Sequence, residues 1–187
     1  MIIIMRSMAD SKKLVPFILS WETDKYTNNK NDRGGATKYG ITLATWKKVG
    51  YDKNADGKLN EEDVKLLTRK DFDMVFKKNY WDACKADQIA DQSVANILVD
   101  TAYNSGVQRA VKFIQGIVHT KEDGVMGPQT LSLINNYKQG QEVLFKRYKE
   151  VRKTYLKRIG VGKQAVNLKG WLRRVDYLQY GSYRLNA

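Results

Sequence analysis

At 187 residues the chain is long enough to bury a real core as one domain or two small lobes, and 42% apolar content excludes a disordered polymer. The single cysteine, Cys84, excludes an internal disulfide, and around the single histidine, His119, no partner pattern supports a Ser-His-Asp triad or a His-rich zinc site. The net charge of +13 is uneven, since residues 138–187 hold thirteen Lys and Arg against three acidic residues. That balance suits an anionic partner (nucleic acid, an acidic membrane face or an anionic wall polymer) or else a solvated helix face.

In chain order, Met1-Ile2-Ile3-Ile4-Met5 is too short for a signal-peptide core and lacks a basic residue ahead of it, and Met5 and Met8 are alternative starts. No stretch reaches the length of a membrane span. The expectation is a protein made in the cytoplasm without an export signal of its own. A first helix is predicted from about Ser11 to Trp21 or beyond. Gly34-Gly35 is a turn signal, so Asp32–Thr42 can include a short hairpin. Thr42 reads as the N-cap of a helix over 43–49 that Gly50 closes. An acidic loop spans 52–63. Thr68 can cap a helix through Asn79, with Asp71 in capping-box position.

Residues 93–105 are predicted helical, with Val94, Ile97, Leu98 and Ala102 on one face and Gly106 at the end. A helix over 107–118 follows, with Val107, Ala110, Val111, Ile114 and Ile117 in register. Pro128 can start a helix to about Tyr137. A long basic helix is predicted over 140–159 and a closing helix over 167–180, so the chain reads as mainly α.

Two carboxylates stand out. Glu22 follows the apolar run Leu14–Trp21, which would desolvate it and raise its pKa. Asp32, ten residues on among Asn, Lys and Arg, would stay charged. Glycosidic hydrolysis needs such a pair: a protonated acid for the leaving oxygen and an ionised group that holds water or supports positive charge. Glu22 alone could equally be an exposed helix-end residue, and Asp32 an Asx-turn that caps the Gly34-Gly35 bend. Thr37 could bond the attacking water or the sugar, or simply stabilise the turn. Tyr39 could stack on a sugar or pack in the core.

Asp52-Lys53-Asn54-Ala55-Asp56-Gly57-Lys58-Leu59-Asn60-Glu61-Glu62-Asp63 fits an EF-hand calcium loop. Asp52, Asn54, Asp56 and Asn60 offer side-chain oxygens, Lys58 its carbonyl, and Asp63 stands where Glu usually closes the site. The competing reading is an acidic turn without metal. A single loop in an enzyme suits a structural Ca2+ rather than a sensor.

Asp32-Arg33-Gly34-Gly35-Ala36-Thr37-Lys38-Tyr39-Gly40-Ile41-Thr42, behind Glu22, resembles the N-acetylmuramidases of glycoside hydrolase family 108. Their pattern is Asp-x-Gly-Gly-x-Thr-x-x-Gly-Ile-Thr, and the Glu…Asp…Thr order is also similar to phage-type lysozymes. Family members usually carry Glu-Gly-Gly-Tyr at the acid, whereas this chain has Glu22-Thr23-Asp24-Lys25-Tyr26. Asn79-Tyr80-Trp81 and Asp100–Gly106 also resemble family positions. Asp100 and Asn104 share a helix face and either line the glycan cleft or form a buried brace; Trp81 is either sugar platform or core anchor, with core the safer reading. Asp123-Gly124-Val125-Met126-Gly127-Pro128-Gln129-Thr130 resembles a turn of peptidoglycan-binding helical modules, and Asn167–Val175 the family's closing helix.

The resemblance implies a lysozyme-like helical fold. Residues 11–105 would form a catalytic lobe with the calcium-loop insertion, and 106–187 a helical peptidoglycan-binding lobe packed with it as one unit. It implies cleavage of the β-1,4 bond between N-acetylmuramic acid and N-acetylglucosamine. Glu22 would be the general acid, with Asp32 and Thr37 beside it and Tyr39, Trp81, Asp100 and Asn104 as substrate-binding candidates. It also implies a peptidoglycan partner, delivery through a holin or similar pore to the periplasm or outside the cell, and a monomer. Three rivals stay open: a non-catalytic wall-binding protein, suggested by the missing Gly-Gly; a lytic transglycosylase, for which a lone Glu suffices; and, with least support, a basic nucleic-acid-binding helical protein.

Overall fold

The computed structural model describes residues 8–29 and 35–186. The fold is mainly helical, as the periodicity predicts. The first element departs from expectation. A 3-10 turn over Ser11–Lys13 passes into a short α1, Val15–Leu19, instead of one helix through Trp21. Pro16 explains the break, because it has no amide proton for a preceding turn and is tolerated only in the first helical turn. Glu22 therefore lies just past a helix end, its amide bonded to Leu19 O at 3.3 Å.

A small antiparallel sheet follows, of β1 (Thr27–Asn29), β2 (Gly35–Lys38) and β3 (Ile41–Thr42) in that order. The register pairs Thr37 with both Thr27 and Thr42. Lys38 faces Ile41, so Tyr39-Gly40 is a two-residue turn, and both residues have positive φ, 53° and 72°. Such turns match the twist of the strands they join. Asp32, at the start of the family motif, falls outside the described residues.

Thr42 caps α2 (Leu43–Val49) by accepting from Thr45 N at 3.1 Å, as expected. The 52–63 loop leads into α3 (Glu61–Lys65), and α4 spans Arg69–Phe76 behind the Thr68/Asp71 capping box. The predicted continuation to Asn79 is a π-helical turn, Lys77–Trp81.

The core is organised around α5, Gln92–Ser105, whose residues from Ser93 to Ala102 are all buried. Asp91 accepts from Ser93 N and Val94 N, and Gly106, at φ 88°, ends the helix. Next come α6 (Val107–Ile117), α7 (Pro128–Asn135) and the long α8 (Gln141–Ile159). Both α6 and α8 pack on α5. The last helix, α9, spans Ala165–Tyr177 and stops short of Tyr180, because the chain turns into a hairpin of β4 (Leu178–Gln179) and β5 (Ser182–Tyr183). Gly181 makes that turn at φ 80°. Aromatic contacts tie the end of the chain to its beginning: Phe17 meets Tyr183 with ring centroids 5.4 Å apart, and Trp21 meets Tyr177 at 5.5 Å.

Candidate active site

Glu22 opens onto a cleft of about 350 Å³ that it lines with Leu19, Asp24, Tyr39 and Arg69. Its side chain is 19% exposed, enough to meet a substrate yet largely removed from water. Burial raises its pKa, and the negative charge of Asp100 adds to that. The Arg174 guanidinium pulls the other way without cancelling the rise. Arg174 Nη1 donates to Glu22 Oε1 at 3.1 Å.

Arg174 is itself anchored from behind. Its Nε and Nη2 reach Asp100 Oδ1 at 3.0 and 2.8 Å, and Arg152 Nη1 reaches Asp100 Oδ2 at 2.6 Å. Burial works to raise the Asp100 pKa, but Arg174 and Arg152 outweigh it and hold this fully buried carboxyl below the ordinary range. Because Asp100 takes up part of the charge of Arg174, a cation can sit against Glu22 without forcing it to ionise.

The Tyr39-Gly40 turn closes the other side. Tyr103 Oη donates to Tyr39 O at 3.2 Å, and its ring lies 4.9 Å from that of Tyr80. Burial, then Glu22, raise the pKa of both phenols, which keeps them protonated. A Cβ on Gly40 would collide with Tyr103 Oη and lie 2.8 Å from Glu22 Oε2. Only glycine lets the turn approach so closely, and its positive φ suits glycine independently.

The other candidate residues separate into groups. Tyr39 is half-buried, lines the cleft beside Glu22 and has Lys38 Nζ 5.8 Å from its ring centroid. Thr37 is half-buried on β2 and donates to Gly35 O at 3.0 Å. Trp81 is 1% exposed, so it is a core anchor and not a sugar platform. Asp100 is corrected as well: its helix is central and its carboxyl is fully engaged by two arginines, so it braces the site and touches no glycan. Asn104 lies outside the Glu22 cleft, at a second cavity, with Nδ2 donating to Asp100 O at 2.7 Å.

Two residues are not among the candidates read from the sequence: Arg174, on the closing helix, and Asp24, which shares the cleft with Glu22. The signal for Arg174 was a buried carboxylate on α5 in need of a cation.

In the 52–63 loop the side chains hold the turn themselves. Asp52 Oδ2 accepts from Gly57 N at 2.7 Å, Asn54 Oδ1 from Asp56 N at 3.2 Å, Asp56 Oδ1 from Lys58 N at 2.8 Å, and Asn60 Oδ1 from Glu62 N at 2.7 Å. Buried Asp63 accepts from Lys53 N and Asn60 N, and these backbone bonds lead in lowering its pKa. Asp52 Oδ1 is buried without a hydrogen-bond partner, an acceptor that a cation would satisfy. Among the described residues, no three His, Cys, Asp or Glu side chains converge as a metal cluster, so any ion here would depend on the Asn and carbonyl oxygens as well.

The family pattern described as Glycosyl hydrolase 108 matches residues 15–106, and the one described as Predicted Peptidoglycan domain matches residues 107–176. A solved structure of Brucella abortus SagA is 31% identical with a TM-score of 0.72, over 89% of this chain and 90% of that one. The chain belongs to glycosyl hydrolase family 108. Curated protein sequences yield no match. This family 108 protein is a peptidoglycan-directed glycoside hydrolase with a lysozyme-like, mainly helical fold. The two matched regions meet at Gly106, which puts Glu22 in the first and its partner Arg174 in the second.

Proposed function

We propose that this family 108 hydrolase cleaves the β-1,4 bond between N-acetylmuramic acid and N-acetylglucosamine, with Glu22 as general acid. The observation that carries the reading is a half-buried carboxyl of raised pKa at a cleft, fixed by Arg174. Oε1, which accepts from Arg174, is the oxygen without the proton, so Oε2 carries it. Donation to the leaving glycosidic oxygen would then run from Oε2. Asp32 is our choice for orienting water or stabilising the oxocarbenium-like transition state, with Thr37 beside it; among the described residues Asp24 is the carboxylate that lines the cleft with Glu22. Tyr39 is the aromatic wall available to a sugar ring.

We also propose that the 52–63 loop holds one structural Ca2+ through Asp52, Asn54, Asp56, the Lys58 carbonyl, Asn60 and Asp63. The order of oxygens and the orphaned Asp52 Oδ1 support this. The ion would stabilise the segment between the catalytic turn and α4 and take no part in the chemistry. The site of action would be the wall, in the periplasm or outside the cell, reached through a holin or similar pore by a monomer. No helix among the described residues is long and apolar enough to cross a membrane.

The test is mass spectrometry of borohydride-reduced fragments from purified peptidoglycan. Muramitol ends are expected. Glucosaminitol would mean a glucosaminidase, anhydromuramic ends a lytic transglycosylase, and no release a wall-binding protein.

A further inference from the structure

A second cavity, about 140 Å³, is lined in part by Arg174 and lies among α5, α6, α8 and α9. Arg109, Arg152 and Arg174 line it together with Tyr155, Leu156 and Trp171, and no carboxylate is among its lining residues. Arg152 is 2% exposed and Arg174 7%, so two guanidinium groups are nearly removed from water. Behind them the ionised partner of both is Asp100, and Glu22 is held toward its neutral form. Arg152 Nε is buried without a hydrogen-bond partner.

Arg109 adds a third cation at the rim. Its guanidinium lies over the Tyr155 ring, 4.8 Å from the centroid, and Nη1 donates to Ser105 O at 3.2 Å. Buried cations in excess of buried anions are costly, and a guanidinium cluster is suited to bind a planar carboxylate by paired hydrogen bonds. The space is about 140 Å³, enough for a carboxylate with a methyl group beside it. Leu156, Tyr155 and Trp171 supply an apolar wall for that methyl.

We propose that this cavity is a carboxylate site for the alanyl end of a peptidoglycan stem peptide. The proposal rests on peptidoglycan as the substrate. It gives the C-terminal region a specific contact with the peptide, separate from the glycan contact at Glu22. Arg174 belongs to both, so a bound stem peptide and the acid share one positioning residue.

The test is calorimetry of the full chain with D-alanyl-D-alanine, with its C-terminal amide and with inorganic phosphate. The acid is expected to bind and the amide not, with affinity falling about tenfold or more in Arg109→Gln. Arg109 is exposed, and it bonds Ser105 O and meets the Tyr155 ring, so this variant leaves the acid in place. Equal binding of acid and amide, no binding in the millimolar range, or affinity unchanged in Arg109→Gln would overturn the site. Phosphate binding as tightly as the dipeptide would overturn the peptide assignment. In parallel, Arg109→Gln should raise KM on stem-peptide-bearing glycan and leave KM on peptide-stripped glycan unchanged; equal effects on both would also overturn it. If neither glycan were cut while the dipeptide still bound, the hydrolase mechanism would fail and this site would stand.

Discussion

Arg174 reaches back 152 positions along the chain to hold Glu22 at 3.1 Å. Glu22 and the cation that holds it come from opposite ends of the sequence and from two different family regions. The link between them is Asp100, which pins Arg174 from α5 with the help of Arg152 on α8. The C-terminal region therefore supplies the cation that holds Glu22.

Glu22→Gln should keep the fold and lose on the order of a hundredfold or more in turnover, because the amide preserves shape but has no proton to transfer. Wild-type turnover in a folded variant, measured on purified peptidoglycan, would remove Glu22 from the mechanism.

The two other carboxylates are separable by kinetics. Asp32→Asn should lower kcat by about tenfold or more, as expected for a group that aids the chemical step. Asp24→Asn should raise KM with kcat nearly unchanged, since Asp24 is an exposed cleft residue. The reverse pattern would transfer the second catalytic role to Asp24.

With Glu22 as the general acid, its proton is expected to set the alkaline side of the activity profile. Burial raises its pKa, and Arg174 partly opposes that rise. Activity should fall as pH rises through this raised value, because the acid is then ionised. Arg174→Gln removes the opposing cation, so the alkaline limb should move to higher pH even as turnover drops. An unmoved limb would reduce Arg174 to a purely structural role. The same shift bears on stability with a definite sign. A carboxyl whose folded pKa lies above its unfolded one stabilises the fold fully at acidic pH, and that contribution is lost as pH rises through the folded value.

Gly40→Ala should abolish activity with a smaller loss of stability. The added methyl meets Tyr103 Oη and Glu22 Oε2 at a residue whose φ is 72°. A folded, fully active alanine variant, checked by circular dichroism and turbidity clearing, would contradict the packing of the turn against the acid.

Calcium should raise the melting temperature of chelator-stripped protein through binding to the folded state alone. At a hundredfold excess over Kd the gain is about 2.7 kcal/mol. Asp56→Ala should erase that response and keep some activity at low temperature. No binding by calorimetry in the millimolar range or tighter would end the calcium proposal.

Much of this was legible locally. The Asp32–Thr42 motif, the desolvating run before Glu22, the caps at Thr42 and Thr68 and the apolar stripe of α5 are short-range patterns, and each settles its own turn, cap or helix face. Asp100 and Trp81 were ambiguous for the same reason. A polar residue on an apolar stripe, or an indole near one, reads alike whether it meets substrate or core, and only the packing around α5 and the Lys77–Trp81 turn gave both to the interior. The positive φ at Tyr39, the short α1 behind Pro16 and the end of α9 at its hairpin depend on backbone fit that periodicity does not encode. The sequence by itself determined the helical class and the family, and it singled out Glu22 as the candidate acid. The tertiary structure decided which cation holds that glutamate, because the Glu22–Arg174 contact exists only once α9 packs on α8 and Arg174 meets Asp100 of α5, and no spacing along the chain records a neighbour so distant.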